Sequence, residues 1–312
     1  MAEVARHILV SGSNGDLSHL KLCWDTAVFS AENGIGPMAS LQQAGDAIAV
    51  LARLESSTMK AIGSGVMVAP GLMLTATHVL EELDESNAII LTFVPSGDGR
   101  LWLPVSSSSA RSSVSPSVIG LSASLNSDIA LVSCELASEA YAHHPLMLAP
   151  MTTDLSLPGQ RLWAYGFRDG DVVGGATQIT PYVSSGLVTQ CFPNGRGSMF
   201  PTPCIEVNME AYGGMSGGPV VNENGELVAI VSSSFDGGPT YATLIWDALR
   251  LNVTRSRGRS DSSAETIDLL TARDLGLAEL RGAVSKDING NVVIGLGEEA
   301  MNALALRKGG FA

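Results

Sequence analysis

The chain has 312 residues, of which 45% are hydrophobic and 16% are charged. A domain usually contains roughly 100–200 residues, so this length predicts one large domain or two of ordinary size. The 18 Lys and Arg residues against 31 Asp and Glu residues give a formal net charge of -13. This excess of acidic residues excludes the cationic surface that nucleic acid binding requires.

Hydropathy and cysteine content give an expectation about location. No run approaches the roughly 18–20 apolar residues of a membrane span, and no signal peptide is predicted. The four cysteines, Cys23, Cys134, Cys191 and Cys204, are too few for a disulfide framework, and none belongs to a C-x-x-C pair. We therefore expect reduced thiols and a cytoplasmic location, with a bridge between Cys191 and Cys204 as the open alternative.

Short apolar runs, separated by turn residues, recur along most of the chain and are typical of strands. Their spacing predicts an all-β fold of barrels or sandwiches. The predicted strands cover residues 47–54, 65–69, 72–75, 88–94, 129–134, 161–167, 183–192, 204–209, 219–221, 227–232 and 241–245.

Several polar segments interrupt or follow these strands. The serine-rich residues 106–117 are predicted to form a mobile surface loop, and residues 254–261 to form a linker. Beyond the linker, residues 262–265 form a capping box that predicts a helix start. The Asn-Gly pair at 289–290 predicts a hairpin turn, and residues 298–307 are predicted to be helical.

These signals divide the chain near residue 254. Residues 1–45 are interpreted as an N-terminal extension, residues 46–253 as the main domain, and residues 254–312 as a small α+β appendage. The strands of the main domain do not need this appendage. We expect it either to dock a regulatory partner or to pack against the main domain.

The strongest local motif is GGMSGGPV at residues 213–220, where Ser216 lies among four glycines ahead of an apolar strand. Glycine permits backbone conformations closed to other residues and lets a substrate carbonyl approach main-chain N–H groups. The motif is therefore suited to a nucleophilic serine beside an oxyanion hole. A glycine-rich hairpin turn that happens to contain a serine is the alternative. No lysine follows the glycines, which excludes a phosphate loop.

Two further residues gain meaning beside Ser216. His78 follows the predicted strand 72–75, and Asp128 leads into the predicted strand 129–134. A neutral imidazole can act as a general base, although each residue alone is more often structural. Along the chain, the order His78, Asp128, Ser216 is one of three arrangements known for a serine–histidine–carboxylate triad.

With these residues the sequence resembles the chymotrypsin/trypsin-like serine peptidases. The segments TATHVL, SDIALV and GMSGGPV contain His78, Asp128 and Ser216 and stand where that family has TAAHC, DIAL and GDSGGP. The segments GSGV at 63–66 and AYGF at 164–167 are similar to the bacterial, HtrA-like branch. The resemblance covers about residues 45–252.

The resemblance implies two six-stranded antiparallel barrels with the active site in the cleft between them. The first barrel would supply His78 and Asp128, and the second would supply Ser216. It also implies that Ser216 attacks the scissile carbonyl, that His78 transfers the proton, and that Asp128 orients the imidazole. Backbone N–H groups of Gly214 and Ser216 would bind the oxyanion. Neither a cofactor nor a metal is expected.

Departures from the family pattern are informative. Met215 stands where the family often has an aspartate that pairs with a new amino terminus, so activation by clipping is not expected. Val79 replaces the half-cystine after His78, as suits a reducing compartment. The adjacent His143 and His144 lack an H-E-x-x-H frame and are interpreted as part of a surface loop, not as a metal site.

The resemblance leaves two interpretations of primary specificity. The side chain six positions before the nucleophile often lies at the base of the specificity pocket in this family, and here it is Glu210. A carboxylate there favours a basic residue before the scissile bond. Alternatively, Glu210 faces solvent, and a pocket lined by Ala211 and by Ser232 through Ser234 accepts small or apolar residues.

The predicted function is that of a serine endopeptidase, which hydrolyses peptide bonds in a protein or peptide substrate. A catalytically latent protein on the same fold, acting as a peptide-binding or scaffold module, is one alternative. An esterase or acyltransferase that uses the same triad is the other. A regulatory partner that binds through the appendage is also among the expectations.

Overall fold

The computed structural model describes residues 8–11, 21–24, 29–31, 36–55, 59–83, 87–94, 99–110, 117–118, 127–137, 145–168, 172–173, 176–197, 200–234, 238–256 and 264–308. Within these ranges, no helix is both long enough and apolar enough to cross a membrane.

Three short strands precede the first barrel. They are β1 (Ile8–Ser11), β2 (Lys21–Trp24) and β3 (Ser30–Ala31). Strands β1 and β2 form an antiparallel pair. A short helix follows, α1 (Leu41–Ala44), which begins because the Ser40 hydroxyl accepts a hydrogen bond from the N–H of Gln43. It continues into a 3₁₀ helix, Gly45–Ala47.

The next strands form the first barrel. They are β4 (Ala49–Leu54), β5 (Met59–Ala69), β6 (Leu72–Thr75), β7 (Ala88–Phe93), β8 (Gly99–Ser109) and β10 (Ala130–Leu136), with α2 (Thr77–Glu82) after β6 and the short β9 (Ser117–Val118) after β8. Strands β10, β6, β5, β4, β7 and β8 close on themselves in that order, each antiparallel to its neighbours. The side chains of β6 and β7 are buried throughout, in keeping with their predicted apolar runs.

Strand β8 corrects the sequence-based prediction for residues 106–117. Ser106 through Ser109 are not a loop, because they pair with Ser133 through Ala130 of β10. Backbone N–H and C=O groups form the ladder whatever the side chain is, and a strand on the surface of a barrel tolerates hydroxyls. Of the remainder, residues 111–116 lie outside the described residues.

Eight strands build the second barrel and its edges. They are β11 (Met151–Thr152), β12 (Arg161–Arg168), β13 (Val172–Val173), β14 (Ala176–Phe192), β15 (Cys204–Val207), β16 (Pro219–Val221), β17 (Leu227–Ser234) and β18 (Thr240–Leu244). Strands β12, β16, β17, β18, β15 and β14 form a closed antiparallel ring, because β14 pairs with both β15 and β12. Two six-stranded antiparallel barrels confirm the predicted all-β fold.

The cysteines of β14 and β15 are not bridged. Cys191 lies opposite Ile205, and Cys204 lies opposite Phe192, in the antiparallel register. Neighbouring positions along a strand point to opposite faces of the sheet, so the two thiols diverge. Both side chains are buried, and burial raises the pKa of Cys204 to about 12.

The chain leaves the second barrel through a 3₁₀ helix, Ile245–Arg250. The remaining elements are β19 (Val253–Ser256), β20 (Ala264–Ile267), α3 (Leu269–Asp274), β21 (Leu280–Arg281), β22 (Ala283–Lys286), β23 (Val292–Gly295) and α4 (Glu298–Lys308). The pairing of β22 with β23 confirms the predicted hairpin, and α4 confirms the predicted helix.

Two predictions for this segment are wrong. Thr254 through Ser256 are not a linker, because they pair with β20 in an antiparallel hairpin. Glu265 is a strand residue and opens no helix, whereas Asp268 caps α3 by accepting a hydrogen bond from the N–H of Thr271. Ser262 lies outside the described residues.

The segment after residue 253 contacts both barrels. Strand β21 pairs in parallel with β11, and β23 pairs in parallel with β9. Thr254 is fixed to the first barrel, since its N–H donates to Ser106 Oγ at 2.8 Å and its carbonyl accepts from Ser133 Oγ at 2.6 Å. The division of the chain near residue 254, and the regulatory partner of the appendage, stay predictions.

Candidate active site

His78 lies in the first turn of α2, three residues beyond the end of β6. Ala76 keeps an extended conformation at the helix cap, so the chain turns abruptly from strand to helix at Thr77. One third of the His78 side chain, 33%, is exposed. The imidazole is therefore held by the helix and yet accessible to a ligand.

Asp128 lies beside His78 because their strands are neighbours. Strand β10 pairs with β6 so that Ala130 is opposite Thr75, which brings the residues just outside the two strand ends together. Asp128 Oδ2 lies 2.8 Å from His78 Nδ1, and Asp128 Oδ1 accepts the His78 backbone N–H at 3.1 Å. A carboxylate at Nδ1 favours the tautomer with its proton on Nδ1, which places the lone pair on Nε2.

Ser216 lies on a tight turn that enters β16. The N–H of Met215 donates to the carbonyl of Tyr212, and the N–H of Gly218 donates to the carbonyl of Met215, both at 3.0 Å. Gly214 has a φ of 87°, a conformation that glycine adopts without strain. The Met215 side chain is completely buried, and its Sδ accepts from the N–H of Tyr212. It anchors the turn in the core and faces no substrate.

The turn contacts the first barrel directly. The carbonyl of Ser216 accepts a hydrogen bond of 2.8 Å from the N–H of Ser64 on β5. A Cβ on Gly217 would lie 2.8 Å from the backbone nitrogen of Ala76, two residues before His78. The loops that carry Ser216 and His78 therefore meet at the interface between the barrels.

The turn that carries Ser216 also contains two backbone donors, the N–H groups of Gly214 and Ser216. Among the hydrogen bonds of the described residues, none uses the backbone N–H of Gly214 or of Ser216. Both residues are half-buried. Two N–H groups on one tight turn that donate no described hydrogen bond are suited to bind a carbonyl oxygen that gains negative charge.

The small residues predicted to line the specificity pocket, Ala211, Ser232 and Ser234, form hydrogen bonds within the protein. Ser234 Oγ donates to the carbonyl of Ala211 at 2.8 Å, which joins β17 to the segment before Ser216. Ser232 Oγ lies 2.6 Å from Thr243 Oγ1.

Glu210 is placed differently from these small residues. Its side chain is exposed, and its Oε2 accepts a hydrogen bond of 2.7 Å from the Tyr212 hydroxyl. The Arg168 guanidinium stacks on the Tyr212 ring at 4.0 Å from the centroid. The Glu210 carboxylate is thus hydrogen-bonded to Tyr212, whose ring lies against the cationic Arg168.

Sequence reasoning missed two residues of this site. It quoted Ser64 only as part of a GSG segment, and it gave no role to Tyr212. Signals for both are present, since Ser64 is a polar residue within a buried apolar strand and Tyr212 adjoins the glycine-rich motif. Within the part of the chain that the structure describes, no group of three or more His, Cys, Asp or Glu side chains is suited to hold a metal. His143 and His144 lie outside that part.

Two solved structures of proteases are similar to this chain. A serine endoprotease from Yersinia pestis is 19% identical, with a TM-score of 0.41, over 64% of this chain and 59% of its own length. The chain thus spans less than two thirds of that protein. The inactive form of the Rv3671c protease is 14% identical, with a TM-score of 0.44, over 70% of this chain and 94% of its own. A search of curated proteins gives no significant match.

The family comparison covers the region that carries the site. The model of the trypsin-like peptidase domain matches residues 63–230, which is more than half of the chain. The match begins just before Ser64 and includes His78, Asp128 and Ser216. It also agrees with the two closed barrels. The chain therefore belongs to the trypsin-like peptidase domain family.

Proposed function

We propose that this protein is a serine endopeptidase that hydrolyses peptide bonds in proteins or peptides, with Ser216 as nucleophile, His78 as general base and Asp128 as its orienting group. The observation that carries the proposal is the pair of contacts from Asp128 to His78, at 2.8 Å to Nδ1 and 3.1 Å to the backbone nitrogen. Together they fix both the tautomer and the orientation of the imidazole.

The reaction proceeds by acyl transfer. Ser216 Oγ attacks the carbonyl carbon of the scissile bond while His78 Nε2 takes the hydroxyl proton. The imidazolium then gives that proton to the leaving amine, the C–N bond breaks, and an acyl-enzyme remains on Ser216. Water repeats the sequence and releases the acid. Asp128 orients the imidazole and stabilises the imidazolium that forms in each half of the reaction.

The oxyanion of each tetrahedral intermediate is bound by the backbone N–H groups of Gly214 and Ser216. Their lack of partners among the described hydrogen bonds supports this role. The φ of 87° at Gly214 also supports it, because a side chain at that position would strain the turn. Loss of one such donor typically costs about 10²–10³ in kcat.

No cofactor takes part in this chemistry, and the rate depends on the charge of His78. A general base must be unprotonated, and an ordinary imidazole loses its proton around pH 6.5. We expect kcat/KM to rise between pH 5 and pH 8. A profile that is flat over this range would remove His78 from the role of base.

The test combines covalent labelling with digestion of a peptide library. A fluorophosphonate probe should label the wild type and a Ser133→Ala control, and should not label Ser216→Ala. Cleavage of library peptides that is absent in Ser216→Ala supports the endopeptidase. Labelling with ester hydrolysis and no peptide cleavage would indicate an esterase. A wild type that neither reacts with the probe nor cleaves would indicate the latent, peptide-binding protein.

A further inference from the structure

Ser64 connects four parts of the candidate active site. Its Oγ donates to the carbonyl of Gly214 at 2.7 Å and accepts from the N–H of Phe167 at 3.0 Å. Its N–H donates to the carbonyl of Ser216, and its own carbonyl accepts from Thr75 Oγ1, each at 2.8 Å. Ser64 is completely buried, so water does not replace any of these contacts.

We propose that Ser64 is the positioning residue of the oxyanion hole, an inference that rests on the proposed peptidase function. Its hydroxyl orients the peptide bond between Gly214 and Met215 and does not touch the substrate. The carbonyl of that peptide is held by Ser64 Oγ, and its N–H is held by the carbonyl of Tyr212 at 3.0 Å. With both ends fixed, the peptide plane cannot rotate.

The flanking N–H groups depend on that plane. Gly214 and Ser216 lie on either side of the fixed peptide, and their N–H groups are the proposed oxyanion donors. Glycine readily adopts several φ values, so Gly214 by itself does not select one orientation. An external hydrogen bond to its carbonyl therefore decides where the two donors point.

The direction of the Ser64 hydroxyl is determined by its partners. A backbone N–H can only donate, so Ser64 Oγ is the acceptor toward Phe167. A hydroxyl has a single proton, which Ser64 then gives to the Gly214 carbonyl. Phe167 belongs to the second barrel and Ser64 to the first. The hydrogen bond between them therefore also fixes the distance of the Ser216 turn from each barrel.

The glycines around Ser64 explain how the backbones come so close. A Cβ on Gly63 would lie 3.1 Å from the carbonyl oxygen of Ser216, and a Cβ on Gly166 would lie 2.9 Å from Ser64 Oγ. Neither position leaves room for a side chain. Because Gly63 and Gly166 carry no side chain, the backbones can approach closely. The Ser64 hydroxyl can therefore reach the Gly214 carbonyl.

The test is the steady-state kinetics of Ser64→Ala on a peptide that the wild type cleaves. We expect kcat to fall by about 10–100-fold, somewhat less than loss of an entire oxyanion donor. KM should change by less than about threefold, because Ser64 does not touch the substrate. The NMR resonance of the His78 Nδ1 proton should be unchanged, since none of the described hydrogen bonds joins Ser64 to His78 or Asp128.

Ser133→Ala is the matched control. Ser133 is also a buried serine, its Oγ donates to a carbonyl, that of Thr254, at 2.6 Å, and it accepts from a backbone N–H, that of Ser106, at 3.2 Å. It lies at the β8–β10 pairing, away from the turn of Ser216. We expect Ser133→Ala to lower stability about as much as Ser64→Ala and to leave kcat unchanged.

A second variant keeps the test valid if Ser64→Ala does not fold. Ser64→Cys keeps a hydrogen-bond donor at this position on a slightly larger side chain, and its thiol is a weaker donor, so kcat should lie between the values of wild type and Ser64→Ala. A Ser64→Ala or Ser64→Cys protein with wild-type kcat would overturn the proposed role of Ser64 and would leave the proposed peptidase function unaffected. A wild type that cleaves no peptide would instead overturn the proposed function.

Discussion

The backbone of Gly217 lies directly against that of Ala76, so the residue after Ser216 contacts the residue two before His78. A Cβ on Gly217 would lie 2.2 Å from Thr75 Oγ1 and 2.8 Å from the Ala76 nitrogen. Gly217 also has a φ of 81°. This contact brings the two loops of the candidate site together, and it requires glycine for both space and conformation.

The Gly217→Ala substitution tests this contact. We expect the free energy of unfolding to fall by about 2–5 kcal/mol, from backbone strain together with overpacking at the interface, and peptide cleavage to be lost. Gly276→Ala is the matched control, since Gly276 has a φ of 71° and no atom within 4 Å of an added Cβ. Thermal denaturation should show the smaller loss, about 1 kcal/mol, for the control. Equal losses in the two variants would contradict the interface role.

Asp128→Asn should lower kcat by roughly 10⁴-fold and leave the fold intact. An amide can still accept the His78 backbone N–H, but its NH₂ group would face Nδ1 and favour the wrong imidazole tautomer. Kinetics on a cleaved peptide and a thermal unfolding curve measure the two effects. A variant with more than a tenth of the wild-type kcat would exclude Asp128 from its proposed role.

Glu210→Ala should leave the cleavage preference unchanged. The Glu210 side chain is exposed, bonded to Tyr212 and near the stacked Arg168, so its charge is poorly available to a substrate cation. We therefore expect cuts after small or apolar residues, in a pocket bordered by Ala211 and Ser234. Profiling of cleavage sites in a denatured proteome measures this preference. Cuts after Lys or Arg that disappear in Glu210→Ala would instead support the basic specificity.

Removal of residues 254–312 should strongly destabilise the protein. Leu269 and Ile294 are buried in the same core as both barrels, and a buried side chain of this kind contributes about 1.5–3 kcal/mol. The hydroxyls of Ser106 and Ser133 would also lose Thr254. A chain that ends at Lys308 is the control. An unchanged melting temperature after truncation at Val253 would indicate that the segment is an independent appendage.

Asp268 should contribute stability that depends on pH. Burial alone would raise the pKa of Asp268, but hydrogen bonds from Lys286 and Thr271 outweigh it and hold the pKa below its ordinary value. A lowered pKa in the folded state contributes stability above the ordinary value of about 3.9, and that stability is lost as pH falls through the lower one.

The Asp268→Asn variant isolates this charge, because asparagine also caps helices. It should be about 0.5–1 kcal/mol less stable than the wild type at pH 7, with the difference shrinking below about pH 4. Denaturant unfolding at several pH values measures it. The exposed Asp274, changed to asparagine, is the control. A difference that grows on acidification would contradict the proposed linkage.

The sequence by itself predicted an all-β fold, most of its strands and the order of the candidate triad, and its resemblance to the trypsin-like peptidases implied the two barrels. Apolar runs such as Leu72–Thr75 and Pro219–Val221 coincide with strands, because a strand buried on both faces leaves a continuous apolar signal. The motifs around His78, Asp128 and Ser216 are each contiguous in sequence. Local pattern was therefore sufficient to find them.

The tertiary structure decided what depends on distant contacts. The serines at the end of β8 become a strand only because β10 lies beside them, and Asp268 caps α3 in place of the predicted box. Ser64 and Gly214 are 150 residues apart, yet their side chain and carbonyl are in hydrogen-bond contact. The sequence does not show from which hydroxyl a backbone carbonyl will accept a hydrogen bond. Only the closure of both barrels brings the Ser64 hydroxyl within reach of the Gly214 carbonyl.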